Sequence, residues 1–314
     1  MHAIRYDSYG PAEVLHVAEV PDPQAGPGEV LVRVHAAGVH PVELAVREGK
    51  LRRFLRQPLP RGLGADFAGV VAAAGAGVST VRAGDRVWGV LPHLKLGSTA
   101  EFVVVPEKLV SPAPADLTLI EAAALPAAGT TVIRALTRAV RLTAGQRLLV
   151  RGASGGAGVL AVQLGRSLGA HVTALAGAGA RELVESLGAD EVVDYRTADP
   201  ASLGRFHVIL DLVGTDVGTF RKLLAPKGRL IALAMDADHP FRWMSSLLLP
   251  GVVGFSNNPS AGELAALARA VEKGELRPVV GGVLPMEQVV EAHHRLARGG
   301  VHGRLILTTG DHPE

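Results

Sequence analysis

The sequence contains no cysteine. This absence excludes disulfide bonds, thiolate nucleophiles, iron–sulfur clusters and zinc lobes built from cysteine. An excess of one charge is also lacking, because the formal net charge is only +2. So small an excess does not imply a polyanion-binding surface, and we expect no nucleic-acid partner.

Long apolar runs are missing as well. The most apolar stretch, Trp243 to Phe255, is interrupted by serine, proline and glycine, and it is too short to span a bilayer. The first residues, MHAIRYDSYG, show no basic segment followed by an apolar one, so we expect no secretory signal. We therefore expect a soluble cytoplasmic protein with no membrane partner.

The length and composition of the chain suit two folded domains. The chain has 314 residues, and one compact core usually serves about 100–200. Hydrophobic residues make up 48% of the sequence, and 38 glycines with 20 prolines are fewer than low-complexity chains contain. The composition therefore excludes a disordered chain.

The first hundred or so residues predict a mostly β domain. Short apolar runs alternate there with glycine and proline, which is typical of a barrel or Greek key. The predicted strands are Glu29–His35, Phe67–Ala73, Asp85–Val90 and Ala100–Val105. Near Pro114 the pattern changes, and the run from Leu119 to Val140 has helical spacing.

The following segment alternates strands with helices, which predicts a parallel, doubly wound sheet. The predicted strands are Arg147–Arg151, His171–Leu175, Glu191–Val193, Val208–Leu212 and Arg229–Ala234, with helices at Gly158–Leu168, Ala180–Leu187 and Gly218–Leu224. Two more helices are predicted at Glu263–Glu272 and Met286–Ala297. The last predicted strand, Arg304–Leu307, is expected to return to the first domain.

A glycine-rich loop joins the first of these strands to its helix. Its residues are Gly152, Ala153, Ser154, Gly155, Gly156, Ala157 and Gly158. Here the loop follows one strand and precedes a helix and then a second strand. A loop in that place brings backbone N–H groups against a pyrophosphate, and a Cβ at the closest approach would hold the phosphate away. The alternative is a tight turn that binds nothing.

The end of the second strand favours NADPH over NADH. An NAD enzyme usually places a carboxylate there for the ribose hydroxyls, but no carboxylate occurs before Glu182. Arg181 and the pair Tyr195 and Arg196 can hold a 2′-phosphate. Arg181 can equally be an exposed helix charge, and Tyr195 a loop aromatic that covers the sheet edge.

Seven segments together resemble the medium-chain dehydrogenase/reductase superfamily, in its zinc-independent quinone oxidoreductase branch. They are AAGVHPVELAVREG (36–49), LPRGLGADFAGVV (59–71), VRAGDRVWGV (81–90), GSTAEFVVVP (97–106), LPAAGTTVIRAL (125–136), VRGASGGAGVLAVQLGRSLGA (150–170) and HGRLILTTG (302–310). The resemblance implies a GroES-like β-barrel catalytic domain over 1–116 and 278–314. It also implies a Rossmann NADPH-binding domain over 117–277.

The resemblance also implies that no catalytic zinc is present. The ligand positions of the zinc-dependent members are occupied in this chain by His40, Ala65 and Ala127. One histidine cannot hold zinc alone, although Asp66 and Glu43 could complete a weak, accidental site.

Two residues of the resemblance concern the reaction itself. The branch usually has asparagine at the position of His40, near the nicotinamide and the substrate carbonyl. His40 could donate to a developing oxyanion or pass a proton, or it could merely fill the asparagine site. Thr130 matches a residue beside the nicotinamide, and it could equally pack its helix.

The resemblance implies hydride transfer from NADPH to a quinone or an activated alkene such as an enone or alkenal. Trp88, Leu91 and His93 are candidates for the substrate pocket, although Trp88 also suits barrel packing and His93 a surface loop. The basic stretch 50–56 with Arg61 could meet a phosphate-bearing substrate such as a CoA thioester, which leaves an enoyl-thioester reductase open, or it could be a solvated loop or helix face. A non-catalytic NADPH-binding sensor or structural protein is the remaining alternative.

Relatives of this kind often pair the edges of their Rossmann sheets. The segment Val252–Ser256 is apolar and precedes Asn257, as expected of such an edge strand. We therefore expect a homodimer.

Overall fold

The computed structural model describes residues 1–53, 58–92, 95–254 and 259–310. The described chain forms two compact units. The first comprises Met1–Thr130, Asn258–Gly274 and Pro278–Glu314, and the second comprises Thr131–Asn257 and Glu275–Arg277. The predicted nucleotide-binding domain, 117–277, ends where the second unit ends, but it begins earlier and includes residues 258–274, which belong to the first unit.

The strands and the α-helices are numbered separately along the chain. The strands are His2–Arg5 (β1), His16–Glu19 (β2), Glu29–Gly38 (β3), Asp66–Ala74 (β4), Arg86–Val90 (β5), Phe102–Pro106 (β6), Val110–Pro112 (β7), Arg147–Arg151 (β8), His171–Ala176 (β9), Glu191–Asp194 (β10), Phe206–Asp211 (β11), Leu224–Ala232 (β12), Val252–Gly254 (β13), Val280–Pro285 (β14) and Arg304–Thr308 (β15). The α-helices are Pro41–Arg47 (α1), Leu119–Ala123 (α2), Pro126–Ile133 (α3), Gly158–Ser167 (α4), Arg181–Ser186 (α5), Val217–Arg221 (α6), Pro240–Ser246 (α7), Ala261–Glu272 (α8) and Val289–Arg298 (α9). Across the described ranges, no helix has both the length and the apolar character needed to cross a membrane.

The second unit contains the predicted doubly wound sheet. Its strands follow the spatial order β10-β9-β8-β11-β12-β13, and every neighbouring pair is parallel. Strands β8 and β11 are neighbours in space but not in sequence, so the strand order reverses between them. Ligands of open α/β sheets bind at such a reversal, beyond the carboxyl ends of the strands.

The first unit is built on a mostly antiparallel sheet of order β14-β15-β3-β4-β5-β7, with β6 also paired to β3. Its core includes the fully buried side chains of Val32, Phe67 and Val105. The last strand, β15, pairs antiparallel with β3, which confirms the prediction that the chain returns to its first domain.

The predicted helical run from Leu119 to Val140 is divided in the structure. A capping box at Thr118 and Glu121 begins α2, and Pro126 begins α3 after a break. Proline has no N–H group and cannot continue the preceding helix, but it suits the first turn of a new one. A π-helical segment, Arg134–Ala139, follows α3.

Two features explain why the first unit extends beyond the predicted boundaries. Helix α2 packs on β3 and β4, and helix α8 packs on β7. Gly129 in α3 lies against Leu267 of α8, where an added Cβ would stand 2.6 Å from a leucine methyl. The segments around 119–130 and 261–272 are thus held by the first unit.

Candidate active site

The glycine loop lies at the reversal of strand order in the second unit. It begins after β8 and leads into α4. Gly152 has a φ of +76°, which L-residues rarely adopt, so the turn requires glycine at that position. A Cβ on Gly158 would stand 2.7 Å from the Cα of Ala153, so only glycine lets α4 approach the end of the strand so closely. The two glycines therefore serve the turn and the packing of the helix.

The face of the loop around Gly155 is open. A Cβ on Gly155 would meet only the carbonyl oxygen of Gly152, at an ordinary 3.5 Å. Helix α4 has Ala157 at its N-cap and no side chain that caps its N–H groups. Uncapped N–H groups at a helix N-terminus attract a phosphate, so the loop fits a dinucleotide pyrophosphate. Ala153 is itself fully buried and donates its N–H to Leu175 O.

An arginine lies at the end of β9, where a dinucleotide ribose is expected. A Cβ on Gly177 would stand 2.7 Å from Arg196 Nη1, so glycine makes room for this guanidinium. The guanidinium carbon of Arg196 is 5.0 Å from the ring centroid of Tyr195, whose exposed fraction is 57%. Within the described ranges, no carboxylate forms an ion pair with Arg196. This arrangement suits a phosphate better than a free ribose hydroxyl.

Arg181 points elsewhere. Its Nη1 donates to Glu185 Oε1 at 3.1 Å, and its Nη2 donates to Val192 O at 2.8 Å. To hold a 2′-phosphate, the guanidinium would have to leave both partners. The prediction that Arg181 binds the cofactor therefore stays a prediction, and Arg196 is the arginine that borders the strand end.

A buried ion pair lies at the carboxyl ends of β8 and β11. Arg151 Nη1 donates to Asp211 Oδ2 at 2.8 Å and to Thr215 O at 2.7 Å. Asp211 Oδ1 accepts from the backbone N–H of Gly214 at 3.1 Å. Burial lowers the pKa of Arg151, and Asp211 opposes that shift. This pair is not among the residues predicted from the sequence, although a charge at the end of each apolar strand was a usable signal.

In the first unit, the registers of three strands bring His40 together with Asp66 and Arg304. Strand β15 pairs with β3 so that Ile306 faces Gly38, and two residues further along this register Arg304 comes to lie opposite His40. Asp66 begins β4, which pairs with β3 on its other edge. A Cβ on Gly38 would stand 2.8 Å from Asp66 Oδ1, so glycine is needed where the carboxylate passes β3.

Both ring nitrogens of His40 are hydrogen-bonded. Nε2 lies 2.8 Å from Asp66 Oδ1, and Nδ1 lies 3.1 Å from Arg304 Nη1. The other carboxylate oxygen of Asp66 accepts from the backbone N–H of Ala127 at 3.0 Å. Burial opposes ionisation of Asp66, but the contacts with His40 and Arg304 outweigh it and hold the pKa of this carboxyl below its usual range.

A second arginine–histidine–carboxyl set involves helix α1. Arg47 Nη1 lies 3.3 Å from His293 Nδ1, and His293 Nε2 lies 3.8 Å from Glu43 Oε2. Burial, followed by the negative charge of Asp66, raises the pKa of Glu43 to about 8. Burial, followed by the positive charge of Arg47, lowers the pKa of His293 to about 3. Near pH 7 both Glu43 and His293 are therefore mostly neutral.

The remaining candidate residues show packing roles. Trp88 in β5 is fully buried, and the backbone N–H of Leu91 donates to Ala65 O at 2.7 Å. The hydroxyl of Thr130 donates to Pro126 O at 2.7 Å within α3. His93 lies outside the described residues. Roles for these side chains beside the nicotinamide or the substrate stay predictions.

The residues at the expected metal position do not fit a zinc ion. A neutral histidine ligates zinc through a free ring nitrogen, but His40 uses one nitrogen for Asp66 and faces a guanidinium with the other. Ala65 and Ala127 offer only methyl groups. Across the described ranges, no three histidine, aspartate or glutamate side chains group as metal ligands do.

Comparisons with known proteins agree with this geometry. An alcohol dehydrogenase GroES-like domain family matches residues 26–115, and a zinc-binding dehydrogenase family matches residues 187–307. The chain is 34% identical over 322 residues to the chloroplast envelope quinone oxidoreductase homolog of Arabidopsis thaliana, covering 98% of both chains. The chain belongs to the medium-chain dehydrogenase/reductase superfamily. Within that superfamily it lies in the quinone oxidoreductase-like branch, and it is an oxidoreductase.

Solved structures of this superfamily share the whole fold. The quinone oxidoreductase of Coxiella burnetii superposes with a TM-score of 0.90 at 28% identity, covering 99% of each chain. A mycobacterial protein complexed with NADPH superposes with a TM-score of 0.85 at 26% identity, covering 98% of this chain and 100% of that one. The predicted fold class, a GroES-like domain plus a Rossmann domain, is confirmed.

Proposed function

We propose that this oxidoreductase transfers a hydride from NADPH to a quinone or an activated alkene without the help of a metal ion. The observation that carries the proposal is the open glycine loop ahead of the uncapped start of α4, at the reversal of strand order. The similarity to quinone oxidoreductases and to a protein that binds NADPH supports the same reaction.

The nicotinamide ring supplies the hydride when the dinucleotide is bound. The chain's own part is to hold the pyrophosphate on backbone N–H groups of Ser154 and residues 156–158, since the N–H of Gly155 donates to Gly152 O, and to leave the Gly155 face free for it. Catalysis without a metal then depends on proximity and on orientation of the acceptor.

A quinone suits the His40 cluster better than an alkene does. Reduction of an alkene requires a proton delivered to carbon, and a positioned acid usually supplies it. His40 has both nitrogens engaged, so it offers no unbonded N–H to a substrate. The oxygens of a reduced quinone are stabilised by resonance and can take protons from water, so no such acid is needed.

Steady-state oxidation of NADPH tests this proposal. The enzyme is dialysed against a chelator, its metal content is measured, and a panel of quinones, enones and alkenals is offered. We expect turnover with quinones at unchanged rate after chelation. Lack of turnover with every acceptor, or activity that returns only with added zinc, would overturn the proposal.

Arg196 and Tyr195 support the preference for NADPH. Arg196 borders Gly177 at the end of β9, and β9 itself ends without a carboxylate; the nearby Asp194 of β10 accepts from the backbone N–H of Arg196 at 3.0 Å. A guanidinium donates two parallel hydrogen bonds to a phosphate, and hydrogen bonds to charged groups contribute about 1.5–3 kcal/mol each. Loss of Arg196 should therefore weaken NADPH binding by roughly tenfold to a hundredfold.

Titration of nicotinamide fluorescence with NADPH and NADH measures this preference. We expect Arg196→Ala to weaken NADPH and leave NADH almost unchanged. Arg181→Ala is the matched control, since that guanidinium is held by Glu185 and Val192 O. A selective loss of NADPH in Arg181→Ala alone would assign the phosphate to Arg181 instead.

We also propose that two copies pair through the edge of the Rossmann sheet. Strand β13 ends the sheet as far as the described residues reach, and Phe255–Ser256 of the predicted edge lie outside them. Phe241, Met244 and Leu248, spaced three and four residues apart, are 68%, 44% and 86% exposed. Light scattering after size exclusion tests the proposal, and a monomer at all concentrations would contradict it.

A further inference from the structure

The hydrogen bonds of His40 have a fixed direction. A guanidinium can only donate, so His40 Nδ1, 3.1 Å from Arg304 Nη1, has to accept. A neutral imidazole with an accepting Nδ1 carries its proton on Nε2. That nitrogen lies 2.8 Å from Asp66 Oδ1, so Nε2–H donates to the carboxylate.

The charges of the cluster agree with this direction. Arg304 is buried, with 5% of its surface exposed, and carries one positive charge, and the fully buried Asp66 carries one negative charge in contact with His40. Glu43, the other carboxyl that acts on Arg304, is buried and protonated near neutral pH. A neutral His40 therefore balances the cluster, whereas an imidazolium would leave an unpaired buried positive charge.

The contacts continue to the helix that follows. Asp66 Oδ2 accepts from the backbone N–H of Ala127 in the first turn of α3. Arg304 also donates to Val39 O at 3.1 Å, the residue before His40. The order of donation is thus Arg304 to His40, His40 to Asp66, and Ala127 to Asp66.

We propose that Arg304 is a positioning residue that holds His40 as the neutral Nε2–H tautomer and, through Asp66, fixes the first turn of α3. His40 then orients Asp66 and exchanges no proton with the substrate. Only the kinetic part of the proposal rests on the proposed reductase function, because the tautomer is a property of the folded protein.

Nitrogen-15 NMR of ring-labelled histidine tests the tautomer directly. The His40 signals are those absent from the His40→Asn spectrum among the 12 histidines. We expect a protonated Nε2 and an unprotonated Nδ1 across neutral pH. An Nδ1–H tautomer or an imidazolium in the unmodified protein would overturn the proposal, whether or not any Arg304 variant folds.

Variants of Arg304 test which residue sets the tautomer. Arg304→Met removes the donor to Nδ1 and a buried positive charge, so Nδ1 should gain a proton while Nε2–H still donates to Asp66; Arg304→Lys, which can still donate, should keep Nδ1 unprotonated. Arg298→Met, on the exposed face of α9, is the matched control and should change nothing at His40. An Nδ1 that stays unprotonated in Arg304→Met would remove Arg304 from the proposal.

The kinetic test compares three substitutions of His40. Glutamine reaches as far as Nε2 and can donate to Asp66, asparagine reaches as far as Nδ1 and can accept from Arg304, and leucine does neither. We expect the two amides to lower kcat/KM by less than about tenfold, with an unchanged pH profile, and leucine to lower it further. A general acid usually accelerates a reaction by about 10²–10⁴-fold. If both amide variants lost that much kcat/KM, and if one ionisation also disappeared from the pH profile, His40 would be the proton donor.

The two kinds of failure can be told apart. If no acceptor is reduced by any form of the protein, the proposed function fails while the NMR result still decides the tautomer. If turnover occurs but both amides lose a hundredfold or more, the reductase function stands and the positioning role fails.

Discussion

Replacement of Glu43 by glutamine should remove a pH dependence of stability. The Glu43 side chain is 2% exposed, and burial raises its pKa from 4.5 to about 8. The folded protein therefore keeps a proton that the unfolded chain releases above about pH 4.5. Stability contributed by this group is complete below pH 4.5, is lost as the pH rises towards 8, and is constant above that.

The size of this effect on the unfolding free energy follows from the shift in the pKa of Glu43. A rise from 4.5 to about 8, at about 1.4 kcal/mol per unit, corresponds to about 5 kcal/mol over the whole window. Between about pH 5.5 and 7.5 the unfolding free energy of the natural protein should fall by roughly 3 kcal/mol relative to Glu43→Gln. His293 titrates in the opposite sense, since its pKa is lowered to about 3, so the comparison with Glu43→Gln is needed to isolate Glu43.

Urea unfolding at several pH values measures this difference. In a Trp243→Phe background, Trp88 alone reports on the first unit, which contains Glu43. Glu272→Gln, at an exposed position of α8, is the matched control and should show the same pH dependence as the natural protein. If Glu43→Gln also follows the natural protein at every pH, the reasoning about this buried carboxyl is refuted.

Three further predictions concern the second unit and the start of α2. Gly158→Ala should lower the unfolding free energy by about 1–3 kcal/mol in thermal unfolding, because its Cβ would stand 2.7 Å from Ala153. Gly155→Ala should leave stability unchanged and should weaken dinucleotide binding in a titration. Arg151→Met should cost about 3–5 kcal/mol because it leaves Asp211 buried and unpaired, and the double variant with Asp211→Leu should recover part of that loss; a fully additive loss would contradict the account. Thr118→Ala should cost about 1 kcal/mol through the lost cap of α2, and an unchanged melting temperature would contradict it.

The doubly wound sheet could be read from the sequence because its signals are local. Strand β8 has the predicted bounds, and α4 begins at the predicted Gly158, since an apolar run meets a glycine turn in both cases. Helix α1 was not predicted because it buries Glu43 and Arg47, which disrupts the apolar pattern of an amphipathic helix. Strand β14 was missed because two adjacent glycines weaken its strand signal.

The candidate site could be predicted only in part. The glycine loop is contiguous in sequence, so its residues were identified together. The His40 cluster joins positions 40, 66 and 304, which are brought together by strand registers that no local pattern specifies. Arg304 was a usable signal even so, because a charge at the start of a buried apolar strand needs a buried partner.

The proposed reaction is a direct transfer of hydride from NADPH to the acceptor without a metal. Its most direct test is a single turnover in which chelator-treated enzyme, loaded with NADPH or with NADPH deuterated at C4, is mixed with a quinone. We expect stoichiometric loss of the reduced-nicotinamide absorbance, slower with the deuterated cofactor and unaffected by added zinc. No oxidation of the bound cofactor, or oxidation that appears only after zinc is restored, would contradict it.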